Sequence, residues 1–175
     1  MERFWVLVMF CVLIVPSARA DEGGKMQITS PAFKDKEAIP ETFTCHGSDI
    51  SPELNFVNVP LNAKSLALVV DDPDAPEGTW VHWVIYDIPP TTAKIAQNSK
   101  VGSEGLTDFG SFHYRGPCPN NKRLYHYSFR LYALSERIEL NEGFIKSDLE
   151  HKMKGKILAE AELVGIYKNP DKYNE

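Results

Sequence analysis

Three stretches of this chain are apolar at every position or at every second one, and they organise the rest. Ser65 to Asp71 (SLALVVD) is a continuous apolar run, the pattern of a strand covered on both faces. Trp80 to Asp87 (WVHWVIYD) is a second such run, and Pro89-Pro90 ends it. Tyr125 to Leu134 (YHYSFRLYAL) alternates, which puts Tyr125, Tyr127, Phe129, Leu131 and Ala133 on one face and His126 on the other. Short strands separated by Pro, Gly and Asn clusters predict a mainly β fold, an antiparallel sandwich. Helix signals are confined to the C-terminal part. Ser147 followed by Glu150 reads as a capping box, and Leu149 and Met153 share a face, so a helix is expected from Ser147 to about Lys156. Leu158 to Tyr167 reads either as its continuation or as a last strand, with Gly165 and Tyr167 favouring strand at the end.

The N-terminal segment stands apart from this pattern. Arg3 precedes an apolar run from Phe4 to Val15, too short to span a bilayer comfortably. Pro16 and Ser17 then lead to Ala18-Arg19-Ala20, the small-residue pattern of a signal-peptide cleavage site. Residues 1–20 are therefore read as a signal peptide and residues 21–175 as a single exported domain, periplasmic or secreted, with no stable membrane insertion after cleavage. An uncleaved anchor is the competing reading. The net charge of −5 and the lack of a basic run exclude nucleic acid as an expected partner. Removing the leader takes Cys11 with it and leaves Cys45 and Cys118. In an oxidising compartment that pair can form a disulfide, or the two can be buried thiols; both readings stand.

Candidate chemistry gathers in two places. Asp71-Asp72-Pro73-Asp74-Ala75-Pro76 puts three carboxylates on a proline-stiffened turn just ahead of the strand bearing His82. Those carboxylates can cap turns, line a ligand pocket or hold Ca²⁺, although Pro73 and Pro76 forbid an EF-hand loop. Strand alternation assigns His82 to the face of Trp80, Val84 and Tyr86. It is either a satisfied core histidine or a ligand; an upstream Asp would orient its ring and favour the charged form, freeing the second nitrogen for an anion. The second cluster is Gly116-Pro117-Cys118-Pro119 followed by Tyr125-His126-Tyr127. Nucleophilic catalysis finds little support: Ser48 sits in a turn sequence, and Cys118 lies between prolines with no helix N-terminus to lower its pKa. A zinc site built from His82, His113 and His126 would lack diagnostic spacing. No metal, no cofactor and no enzymatic activity are expected.

Several motifs in order give the chain a resemblance. They are Ile28-Thr29-Ser30-Pro31-Ala32-Phe33, Thr44-Cys45-His46-Gly47, Ser51-Pro52, Asp71 to Pro76, His82-Trp83, Gly116 to Pro119 and Leu131-Tyr132-Ala133-Leu134. From about Gln27 to Tyr167 the chain resembles the phosphatidylethanolamine-binding protein family, in its bacterial and archaeal Raf-kinase-inhibitor-like branch. That resemblance implies a β-sandwich of Greek-key sheets with a few peripheral helices. It also implies a small cavity for phosphate, phosphorylated groups or phospholipid head groups. Matched to this sequence, the cavity wall would be Asp72, Pro73, Asp74 and His82 from the first motif, and Gly116, Pro117 and Tyr127 from the second.

One departure affects the chemistry. The family's second motif usually reads His-Arg-Tyr or His-His-Tyr, whereas Tyr125-His126-Tyr127 stands here, so Tyr125 takes the slot of a pocket histidine. His126 points to the opposite face and cannot replace it without a register change. A charge-assisted hydrogen bond replaced by a neutral one costs on the order of 1 kcal/mol. The expected result is a weaker, less pH-sensitive anion site. The function expected is non-catalytic binding of a small anionic ligand. The alternatives are an inhibitor-like module acting on a kinase or protease partner and, last, a phosphoester hydrolase.

Overall fold

The computed structural model describes residues 24–170, so the segment read as a signal peptide lies outside the described residues. In chain order the strands are β1 (Gln27–Thr29), β2 (Glu37–Ala38), β3 (Leu54–Val57), β4 (Ser65–Asp72), β5 (Trp80–Ile88), β6 (Lys94–Ile95), β7 (Ser103–Glu104), β8 (Tyr125–Leu134) and β9 (Ile157–Tyr167). A helix, α1 (Lys146–Met153), precedes β9. The six-stranded sheet runs β2-β9-β8-β4-β5-β7, and a three-stranded sheet runs β1-β3-β6. All pairings are antiparallel except β2 with β9, which is parallel. The fold is therefore mainly β, as expected, and the short parallel β2–β9 pair at one edge makes the large sheet mixed.

Both faces of the large sheet are covered. On one side Leu66, Leu68, Val70, Ile85, Phe129 and Leu131 meet Ile28, Leu54, Phe56 and Ile95 of the small sheet. On the other, Ala67, Val69, Val84 and Tyr132 meet Leu149 and Met153 of α1 together with Ile138 and Phe144. This explains the unbroken apolar run of β4, every residue of which is buried. Covering both faces removes the reason for alternation. Each fully buried Leu, Ile or Phe here stabilises by roughly 1.5–3 kcal/mol.

The helix begins one residue before the predicted start. Asp148 accepts the Ile145 N–H at 3.0 Å, so a carboxylate on the first turn caps the helix where Ser147 and Glu150 had been expected to. The helix closes at Met153, Gly155 adopts φ +77°, and the following residues are strand. The Leu158–Tyr167 ambiguity thus resolves as strand, because β9 pairs along the whole of β8, with Leu158 bulged out at the end.

An ion cluster fastens α1 to the sheet. Asp71 has no exposed side-chain surface, and it accepts from Arg130 at 2.5 Å and from Lys146 at 2.6 Å. Lys146 is the first residue of α1, so the pairing sets the helix against β4 and β8. Of the three carboxylates in the acidic turn, Asp71 is structural.

Candidate functional site

The C-terminal end of β4, the start of β5 and the start of β8 lie side by side, with Asp72 paired to Trp80 and Asp71 to Ser128. A cleft of about 390 Å³ opens at this end. Asp72, Glu77, Trp80, His82, Phe109, Asn120, Tyr125 and Tyr127 bring their side chains to it, and Cys118 and Pro119 close one edge.

His82 reaches the cleft because β5 bulges. Val70 pairs with Trp83 and Asp71 with Val81, which leaves His82 as the extra residue. Val81 and Val84 both face α1, so His82 and Trp83 fall together on the opposite side. Strict alternation had grouped His82 with Val84 and Tyr86. The bulge separates them and re-aims the imidazole, as bulges beside functional sites often do. The ring packs edge-on against Phe109 at 5.1 Å and Tyr127 at 5.2 Å between centroids.

Among the described residues no aspartate orients this histidine. Its Nδ1 lies 2.6 Å from the carbonyl oxygen of Arg115, and a carbonyl can only accept, so Nδ1 carries the proton. Burial pushes the imidazole down to about 4, against the smaller raising effect of that carbonyl. His82 is therefore neutral near pH 7, with Nε2 as an acceptor. The expectation of an Asp-stabilised imidazolium is corrected on both counts.

Asp72 does line the cleft. Its Oδ1 accepts the Asp74 N–H at 2.8 Å, and burial pushes its carboxyl up to about 6, assisted by the charges of Asp74 and Asp71. This places a group that changes charge near pH 6 inside the cleft. Asp74 turns away instead, holding the backbone N–H of His126 at 3.0 Å and its Nδ1 at 2.6 Å. The His126 hydrogen bond keeps the Asp74 carboxyl below the usual range. Pro73 stiffens the turn between them without lining the cleft.

Gly116 and Pro117 act as scaffold. A Cβ on Gly116 would lie 2.2 Å from the carbonyl oxygen of Phe43, so only glycine fits there. Its N–H donates to Asp49 at 2.6 Å, and Pro117 accepts from Cys45 N–H at 3.1 Å. A Cys45–Cys118 disulfide, with Cα atoms 5.3 Å apart, ties this turn to the preceding loop. Tyr125 and Tyr127 are both buried and both reach the cleft, while His126 is exposed on the other face. Burial pushes the Tyr127 hydroxyl up, so it stays a neutral donor. Asn121 donates to the Tyr125 hydroxyl at 2.8 Å.

Sequence reasoning missed several contributors. Phe109 enters from a loop with no periodicity; Asp108 pins that loop by accepting the Val81 N–H at 2.7 Å and donating its own N–H to Val81. Arg115 stands over Phe109 at 5.4 Å, and Arg123 over Tyr125 at 5.5 Å. Two cleft walls are thus backed by guanidinium groups. Position before Gly116-Pro117 is the signal that would have singled out Arg115.

The phosphatidylethanolamine-binding protein model matches residues 29–168, which include every residue of the cleft. The chain belongs to this family. Among curated relatives in it, a UPF0098 protein of Aquifex aeolicus is 46% identical over 154 residues, covering 83% of this chain and 90% of the relative. A UPF0098 protein of Methanothermobacter thermautotrophicus is 43% identical over 150 residues, covering 82% and 99%. Among solved structures, the homologue CT736 of Chlamydia trachomatis superposes with a TM-score of 0.80 at 39% identity, covering 83% of this chain and 99% of that one. E. coli YbcL, described as a member of the mammalian family, gives 0.78 at 28% identity with the same coverage.

Proposed function

We propose that this chain is an exported, non-catalytic binding protein whose cleft takes a small phosphorylated group. The convergence of Asp72, His82, Tyr125 and Tyr127 in one cleft carries the reading. The tyrosine hydroxyls supply donors to an oxyanion, and Arg115 and Arg123 supply positive charge at the walls. The family's name, with its phosphorylated amine head group, supports the same ligand class.

Absence of chemistry is supported by the way the reactive groups are spent. Cys118 is bonded to Cys45, and the His82 Nδ1 proton goes to a backbone carbonyl. Neither pairing resembles a nucleophile held by a general base. Export is supported by the leader-like residues 1–20 and by a disulfide suited to an oxidising compartment.

The test is a titration of residues 21–175 with inorganic phosphate, followed by amide NMR. Saturable shifts confined to Asp72, His82, Phe109, Tyr125 and Tyr127 are expected. Absence of saturable shifts there up to millimolar phosphate would overturn the reading.

A further inference from the structure

Two buried polar side chains of the cleft, His82 and Asp72, present acceptors beside the tyrosine donors. His82 is 3% exposed, and its Nδ1 proton is committed to Arg115, so it offers Nε2 as a lone pair. Asp72 is 5% exposed; Oδ1 already accepts from Asp74, and the carboxyl faces the same space. Glu77 adds a second carboxyl to the lining. Among the described residues no lysine or arginine lines it; Arg115 and Arg123 sit behind the aromatic walls.

A fully deprotonated oxyanion would meet these lone pairs with its own. That contact is repulsive and leaves buried acceptors unsatisfied. An oxyanion carrying a proton can donate to one of them while its other oxygens accept from Tyr125 and Tyr127. Resting on the proposed phosphate reading, we infer that Asp72 and His82 make this cleft selective for phosphate species bearing an acidic proton. Hydrogen phosphate and the monoanion of a phosphomonoester qualify. Sulfate and phosphodiesters do not, because they carry no proton near neutral pH.

The discrimination has a known physical scale. A site built around a ligand hydroxyl rejects the analogue lacking it because its own polar groups are left unpaired. Fully enclosed sites of this kind discriminate strongly, and an open cleft less so. At pH 7.5 Asp72 lies above its midpoint of about 6 and is mainly ionised, so the acceptor role is active. Phosphomonoesters, whose second ionisation lies near 6, would bind with proton uptake.

The experiment is calorimetric or NMR titration at pH 7.5 with inorganic phosphate, sulfate and dimethyl phosphate in separate arms. Phosphate should bind at least about 10-fold more tightly than either of the others. Asp72→Asn, which replaces an acceptor by an amide able to donate, should tighten sulfate and bring the ratio to within a few-fold. Sulfate binding equal to phosphate in the unaltered protein overturns the selectivity while leaving phosphate binding intact. Failure of all three ions to bind overturns the underlying function instead. Full selectivity retained in Asp72→Asn overturns the role of Asp72. Should that variant not fold, ¹⁵N shifts of His82 in the unaltered protein decide: protonated Nδ1 with an Nε2 that shifts on phosphate addition is expected. A proton on Nε2 in the free protein overturns the inference.

Discussion

His82 and Arg115 are joined twice: the His82 imidazole donates from Nδ1 to the Arg115 carbonyl at 2.6 Å, and the Arg115 N–H donates to the His82 carbonyl at 3.0 Å. The bulged strand and the Gly116-Pro117 turn therefore move as one unit. The ring's tautomer is set by backbone, which no side-chain substitution removes. Asp49 completes the brace by pairing with Arg115 Nε at 2.9 Å while holding Gly116 N–H.

The two titrating cleft residues pull stability in opposite directions with pH. His82 has a folded value depressed to about 4, so its contribution is full above the unfolded value of 6.5 and is lost as pH falls toward 4. Asp72 has a folded value raised to about 6, so its contribution is full below 3.8 and is lost as pH rises through 6. Between about pH 4 and 6 the two slopes offset. Asp74, Asp71 and Arg123 act on Asp72, and Asp71 and Asp49 on His82. Asp72→Asn should expose the histidine slope, a loss on the order of 3 kcal/mol relative to the unaltered protein across that window. Denaturant unfolding of both proteins at pH 4, 5, 6 and 7 checks this; parallel curves would refute it.

Tyr125→His should return an imidazole to the slot the family usually gives to histidine. A charged donor there replaces a neutral phenol, a gain on the order of 1 kcal/mol. Phosphate should bind about five-fold more tightly at pH 6, and the gain should shrink by pH 8 as the new ring deprotonates. Titration calorimetry at both values reads the change.

Asp71→Asn should destabilise by roughly 3–5 kcal/mol, because Arg130 and Lys146 would lose a fully buried counter-charge. Arg137→Ala, which breaks an exposed pair with Asp87, should cost less than about 1 kcal/mol. Urea unfolding of the two variants side by side tests the contrast. Hydrogen exchange in α1 should rise in Asp71→Asn alone.

Reduction of Cys45–Cys118, or the double Ser variant, should lower stability by roughly 4 kcal/mol on the chain-entropy model for a 73-residue separation. Since Cys118 edges the cleft, phosphate affinity should fall as well. A thiol count beside unfolding and titration measurements checks both. Two titratable thiols in the untreated protein would show that the bond does not form in the cell.

Gly116→Ala should fail more severely than its size suggests, since the added Cβ meets backbone that cannot yield. A loss of several kcal/mol is expected, on the scale of strained backbone or overpacked cores. Thermal unfolding measures it; a change within about 0.5 kcal/mol would refute the packing argument.

Period and composition were enough for the strands that carry the sheet. β8 falls at Tyr125–Leu134 as its alternation predicts, and the apolar runs of β4 and β5 come within one residue of their expected ends. Burial on one or both faces writes itself into residue period, so these elements are legible locally. Asp72, His82, Tyr125 and Tyr127 were also named from sequence, and the structure brings these four to one cleft. What tertiary structure decided was how the groups are used. A bulge turned His82 away from Val84, a carbonyl 33 residues along the chain chose its tautomer, and Asp71 and Asp74 were taken by Lys146 and His126. Tautomer, charge state and partner depend on atoms distant in sequence and on loss of water. Neither leaves a periodic trace in the chain, and both appear only once the strands are packed.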